Sequence, residues 1–238
     1  MKRVLVCSMA AAVCLLFVGV ANAGTMENAK IALHLQPHNT GKLDTCTLMS
    51  SPTCHSDSET SNLNLQGAVG VSYDAYIAVL DANSTSGVGG ATFGLAYPAS
   101  LGLFGNGLCA DLEFPGQGWP ATGGGNVITF DVITNCQNAT NGAVDPTDVE
   151  GDNGMAVLYW LYVYAYGDAT LAITQRNVAI PDFKIADCTA AEDSPLFPLY
   201  AGQLGFGTGI GYSPCVPPPV TPVEETTWGA IKSQFDGE

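Results

Sequence analysis

Apolar residues alternate with polar or small ones along most of this chain, and a helical stripe appears only at its end. The densest run is Met155–Gln175, MAVLYWLYVYAYGDATLAITQ, rich in Val, Leu, Tyr and Trp and broken once, at Gly167-Asp168. β-Branched and aromatic side chains pack well on a pleated surface, so the run predicts strands. At period 2, Val157, Tyr159, Leu161, Val163 and Ala165 share one face. Leu158, Trp160, Tyr162, Tyr164 and Tyr166 share the other. Neither face is polar, so each needs cover, one from a second sheet and the other from loops or a partner. Beyond the break, Leu171 and Ile173 alternate with Thr170, Ala172 and Thr174. The stretch therefore predicts a central antiparallel hairpin.

The same period recurs on both sides of it. Lys30–Gln36 turns Ile31, Leu33 and Leu35 inward and stops at Pro37, after which 37–66 reads as a long polar loop. Tyr73–Asp81 predicts a strand ending in a loop over 82–90. Ala91–Tyr97 follows, with Ala91, Phe93, Leu95 and Tyr97 on one side. Asn126–Thr134, Phe183–Cys188 and a glycine-rich segment near Leu204–Tyr212 complete the set. Short strands at this spacing, with no helical pattern between them, predict an all-β fold. The expectation is an antiparallel β-sandwich of about seven to nine strands, disulfide-bridged, with a short C-terminal helix.

The two ends do not belong to that body. Met1-Lys2-Arg3 is a basic head, Val4–Val20 is apolar, and Ala21-Asn22-Ala23 is a cleavage site of the A-x-A kind, so residues 1–23 read as a signal peptide. The apolar run is short for a membrane span, and no span is expected after its removal. Residues 24–215 form the expected sandwich and 216–223 (VPPPVTPV) a stiff proline-rich linker. In 224–238, Thr226 or Thr227 caps a short helix with Trp228, Ile231 and Phe235 on one face. That face is a candidate recognition element, against the plainer reading that it docks on its own domain.

Export changes the meaning of the cysteines. Cys7 and Cys14 leave with the signal; Cys46, Cys54, Cys109, Cys136, Cys188 and Cys215 remain. An even number in an oxidising compartment predicts disulfides, although six cysteines allow 15 connectivities. Chain order and two equal spacings favour Cys46–Cys54, Cys109–Cys136 and Cys188–Cys215. Charge sharpens the picture further. The chain has 7 basic and 22 acidic residues; without Lys2 and Arg3 the balance is 5 against 22, or −17. Such a surface repels nucleic acid and anionic membranes.

Four segments carry a resemblance: Cys109–Pro120 (CADLEFPGQGWP), Gly123–Thr129 (GGGNVIT), Tyr164–Gly167 (YAYG) and Thr227–Lys232 (TWGAIK). They resemble a family of uncharacterised exported bacterial proteins with paired cysteines, a β-sandwich-like body and a terminal TTWGxxK segment. The resemblance implies export and a bridged sandwich, and no activity. The Tyr73–Tyr97 pattern is more loosely similar to cohesin-like sandwiches, a likeness of fold alone.

Candidate chemistry is sparse. The histidines, His34, His38 and His55, all lie near the N-terminus, and no GxSxG elbow accompanies them, so a Ser–His–acid site is not expected. His34 and His38 with Cys46, Cys54 and His55 could mimic a metal site, although bridged cysteines and ordinary histidines explain them as well. Asp111 and Glu113, near Trp119, form a candidate carboxylate pair beside a sugar platform, the arrangement a glycosidase uses. The loop Asp145–Gly154 sets Asp145, Asp148, Glu150 and Asp152 between glycines. It is the candidate calcium site, though its spacing does not match an EF-hand. No other cofactor is expected. The leading expectation is a non-catalytic exported interaction module in the periplasm, at the cell surface or outside the cell, with another protein or a surface glycan as partner. A carbohydrate- or ligand-binding sandwich comes next, and a hydrolase last.

Overall fold

The alternating segments become strands of two packed sheets. The computed structural model describes residues 24–40, 46, 49, 54–55, 60–141 and 153–216. In chain order the strands are β1 (Lys30–Pro37), β2 (Cys54–His55), β3 (Thr60–Ser61), β4 (Gln66–Gly67), β5 (Ser72–Asn83), β6 (Val88–Ala96) and β7 (Leu101–Leu108). Then come β8 (Leu112–Pro115), β9 (Gly125–Thr129), β10 (Asn153–Ala165), β11 (Ala169–Thr174), β12 (Lys184–Asp187), β13 (Glu192–Asp193) and β14 (Gln203–Phe206). One sheet has the order β1-β5-β10-β7, antiparallel throughout. The other runs β13-β12-β6-β11-β14-β4, with β9 on the second edge of β6 and β8 beside β9. Its β14–β4 pair is parallel. The expected antiparallel, bridged sandwich is the observed fold.

Alternation places the core between the layers. Ile31, Leu33, Leu35, Ile77, Val79, Leu161 and Val163 from the first sheet meet Phe93, Leu95, Ile128, Leu171, Ile173, Ile185, Leu204 and Phe206 from the second. All are essentially buried. In β10 the inward set begins at Ala156 and Leu158, because register shifts between Gly154 and Ala156 and between Val157 and Tyr159 break the period. Leu158 is thus core beside Leu161 and Val163, where strict alternation put it on the opposite face from them.

β10 and β11 do not form the expected hairpin. They lie in different sheets, so the chain crosses between layers at Tyr166–Asp168. Ser100 O accepts from Tyr166 N at 2.8 Å on one side of the crossing. On the other, the Asp168 carboxylate accepts from the backbone N–H and hydroxyl of Thr208, just past β14. The arch turns the apolar faces of both strands toward each other. A hairpin would leave them side by side in one layer.

The expected loop over 82–90 is also shorter than the polar residues imply. β5 runs to Asn83 and β6 resumes at Val88. Asn83 Oδ1 accepts from the N–H groups of Thr85 and Ser86, and Gly87, at φ 66°, closes the turn.

Disulfide connectivity overturns the chain-order pairing. The bridges are Cys46–Cys109, Cys54–Cys215 and Cys136–Cys188. Equal spacing along the chain did not mean proximity in space. β9 and β12 both pair with β6, and both run toward its Val88 end. Cys136 and Cys188, downstream of those two strands, therefore meet there, against Gly87, where a Cβ would lie 2.8–2.9 Å from their sulfurs. Cys54–Cys215 packs with Ala32, Ala78 and Leu80 on the outer face of the four-stranded sheet, together with Met49, Leu63 and Met155. Three bridges belong to an oxidising compartment. No helix among the described residues is long and apolar enough to cross a membrane. Residues 1–23, read above as an expected signal peptide, and the tail carrying Trp228, Ile231 and Phe235 lie outside the described residues.

Candidate functional site

Half of the outer face of the four-stranded sheet is covered by the Cys54–Cys215 region; the other half carries aromatic side chains. β10 and the residue after it supply Trp160, Tyr162, Tyr164 and Tyr166, β7 supplies Phe104, and His38 continues β1. The Tyr162 ring stacks on the His38 imidazole, with centroids 3.9 Å apart and planes 7° from parallel. Phe104 lies 5.7 Å from Tyr162 and 6.4 Å from both Tyr164 and Tyr166, and Tyr164 lies 4.8 Å from Tyr166. These rings meet at steep angles, the geometry aromatic quadrupoles prefer. Phe104 and Tyr166 remain 55% and 64% exposed.

Glycines in β7 make room for that cluster. Gly107 and Gly105 stand opposite Trp160 and Tyr162. A Cβ at Gly107 would lie 2.5 Å from Trp160 Nε1, and one at Gly105 would lie 3.6 Å from both aromatic side chains. The rings of β10 therefore spread over β7.

Beside the rings is a concavity of about 450 Å³, lined by His34, Gln36, Asn39, Asn64, Asp74 and Tyr76 among others. Asp74 Oδ1 holds His38 Nδ1 at 2.9 Å and so orients the imidazole under Tyr162. His34 Nδ1 accepts from Asn64 N at 3.2 Å, which selects the neutral tautomer with its proton on Nε2. Burial pushes the His34 pKa below its ordinary 6.5, because the charged ring would lose its hydration.

The other sequence candidates are placed differently. Pro37 does not break the ladder, since His38 N donates to Ser72 O at 3.2 Å, and His34 and His38 share a face. His55 sits in β2. Among the described residues no three His, Cys, Asp or Glu groups converge as a metal site. Asp111 accepts from Asp131 N at 2.7 Å and Asn135 Nδ2 at 2.9 Å, whereas Glu113 accepts from Asn126 Nδ2 at 2.7 Å. Each carboxylate thus fastens its own loop or strand. Trp119 stands edge-on to Phe93 and Tyr159 and packs on the core. Asp145, Asp148, Glu150 and Asp152, the candidate calcium loop, lie outside the described residues. Phe104 was missed. Its strand, LGLFGNGL, alternates Leu with Gly, and a bulge at Phe104 breaks the period that would have exposed it.

No family model and no curated protein matches the chain. Among solved structures, it is similar to a cohesin module of a family 33 glycoside hydrolase from Clostridium perfringens ATCC13124. That match has 10% identity and a TM-score of 0.39 over 75% of this chain and 98% of the other. The sixth cohesin of scaffoldin B from Acetivibrio cellulolyticus, solved with a dockerin, gives 11% identity and 0.39 over 75% and 99%. A type II cohesin domain from the same organism's cellulosome gives 11% and 0.34 over 73% and 94%. At such identities the likeness carries no site residue across.

Proposed function

We propose that this chain is an exported, non-catalytic binding module that engages another protein through the aromatic half of its four-stranded sheet. The observation that carries this reading is the exposed Phe104 and Tyr166, held against Tyr162 and Tyr164 on a rigid sheet. Aromatic anchors with few rotatable bonds are enriched at interfaces and dominate their energetics. The chain's formal charge of −15 turns away nucleic acid, so the partner is neutral or basic. Disulfides and a leader-like N-terminus support an exported location. The segment around Trp228, Ile231 and Phe235 is proposed as a separate recognition element.

A second reading is a glycan-binding module, favoured by the polar concavity of His34, Gln36, Asn39, Asn64 and Asp74 beside the His38–Tyr162 stack. One experiment separates the two. The purified protein and its Phe104→Ala and Tyr166→Ala variants are screened against a displayed peptide library and a glycan array. Peptide binding that falls at least about tenfold in both variants, near the 1.4 kcal/mol of a modest anchor, supports the protein reading. Array signals lost on Asn64→Ala, with no peptide selected, would replace it with the glycan reading.

A further inference from the structure

β7 is the end strand of its sheet, and among the described residues no strand pairs with its outer edge. In an antiparallel pair, residues bonded to the neighbour alternate with residues whose N–H and C=O point away. Cys109 N donates to Leu158 O and Tyr166 N donates to Ser100 O, which sets that alternation from both ends. Followed inward through the register to the bulge at Phe104, it turns the peptide groups of Leu103 and Asn106 outward. Exposed edges usually carry Lys or Pro, or are covered, because they template pairing with another chain. β7 carries neither, nor any charge; at its ends Leu101 N donates to Pro98 O and the bridged Cys46 Sγ lies 3.5 Å from Leu108 O, which leaves Leu103 and Asn106 as the open positions between them.

We propose that this edge takes up an extended, basic segment of another polypeptide as a fifth strand. The proposal rests on the protein-binding reading and names the partner's form and charge. Backbone pairing would supply affinity, and side chains on one face of the added strand would meet Phe104 and Tyr166. Charge selects the occupant. Every Lys and Arg among the described residues is already paired, Lys30 with Asp81, Arg176 with Asp182 and Lys184 with Glu192. Exposed carboxylates stand near both ends of the edge. Asp168, whose carbonyl accepts from Ser100 Oγ, is at the Leu101 end, and Asp111 is just past Cys109 at the other. Lysine or arginine on the added strand meets those carboxylates and the faces of Phe104 and Tyr166. A second copy of this chain would bring −15 against −15 and is disfavoured as occupant.

The test uses the purified protein and a synthetic ten-residue peptide alternating threonine and lysine. Two control peptides replace lysine with glutamate, or carry N-methyl groups on alternate amides. Titration is followed by fluorescence anisotropy and by amide hydrogen exchange. The expected result is slowed exchange at Leu103 and Asn106 on adding the lysine peptide. The N-methylated peptide should bind at least about tenfold more weakly, since it loses several backbone hydrogen bonds at once. No binding by the glutamate peptide is expected. Binding weakened by Phe104→Ala but with no protection at Leu103 and Asn106 overturns strand addition and leaves the aromatic-face reading standing. Failure of the lysine peptide at millimolar concentration overturns the partner's chemistry. A concentration-dependent dimer in sedimentation that protects the same two amides assigns the edge to a second copy, and overturns the proposal too.

Discussion

Two buried side chains of β1 answer differently to perturbation. Lys30, nearly excluded from solvent, donates to the Asp81 carboxylate and to Asn28 O at 2.7 Å, and its ammonium sits 4.9 Å from the centre of the Tyr200 ring. Removing one partner of a buried pair leaves an uncompensated charge, so Lys30→Ala should cost about 3–5 kcal/mol in urea unfolding. A loss below 1 kcal/mol would mean that water reaches Asp81. His34 titrates instead. Its folded pKa is depressed by burial, so below about pH 6.5 the unfolded chain takes up a proton that the folded chain refuses. Stability should therefore fall as pH drops from 7.5 to 5.5, and less steeply in His34→Gln. Equal slopes for the two proteins would remove His34 from the acid response. Neither role was readable in the sequence. An alternating strand tells which positions face in, but the partner of an inward or covered polar group lies on another strand.

At the scale of elements, what could be read depended on side-chain contrast. β1 and β6 alternate clearly, and their core faces were legible; β5 and β10 were legible as strands, but with apolar residues on both faces of β10 the core face could not be chosen. β7 was not, because glycine carries no hydrophobic signal and its role is to leave space for a neighbour's ring. The Gly167-Asp168 break was legible as a turn but not as an arch. That choice is made by Ser100 and Thr208, distant in the chain. Two glycines of β7 should respond differently to an added methyl group. Gly107→Ala puts a Cβ 2.5 Å from the Trp160 indole and should cost about 1–3 kcal/mol, with a shift in Trp fluorescence. Gly105→Ala, with its nearest contacts at 3.6 Å, should stay within about 0.5 kcal/mol of the parent. Similar melting temperatures for the two variants would show that Trp160 is free to move aside.

For the whole molecule, the bridges set the covalent topology. Non-reducing peptide mapping should recover Cys46–Cys109, Cys54–Cys215 and Cys136–Cys188, with no link between Cys109 and Cys136. Their sequence separations of 63, 161 and 52 suggest unequal contributions, with Cys54–Cys215 largest. The linkage alters that ranking. Cys54 lies close to Cys46, Cys109 to Cys136, and Cys188 to Cys215, so the three bridges and the short segments between them form one ring. With the other two bridges intact, the shortest covalent path from Cys54 to Cys215 spans only about 60 residues, which the loop-entropy relation converts to about 4 kcal/mol. The same reasoning gives about 4 kcal/mol for each of the other bridges. Three double serine variants, one per bridge, should therefore unfold in urea at nearly the same midpoint, with slopes raised to a similar extent because each lost bridge lets the unfolded chain expand. If the Cys54/Cys215 variant is much the least stable, its bridge acts by packing on Ala32, Ala78 and Leu80 beyond closing the ring, and the entropic account fails at that site.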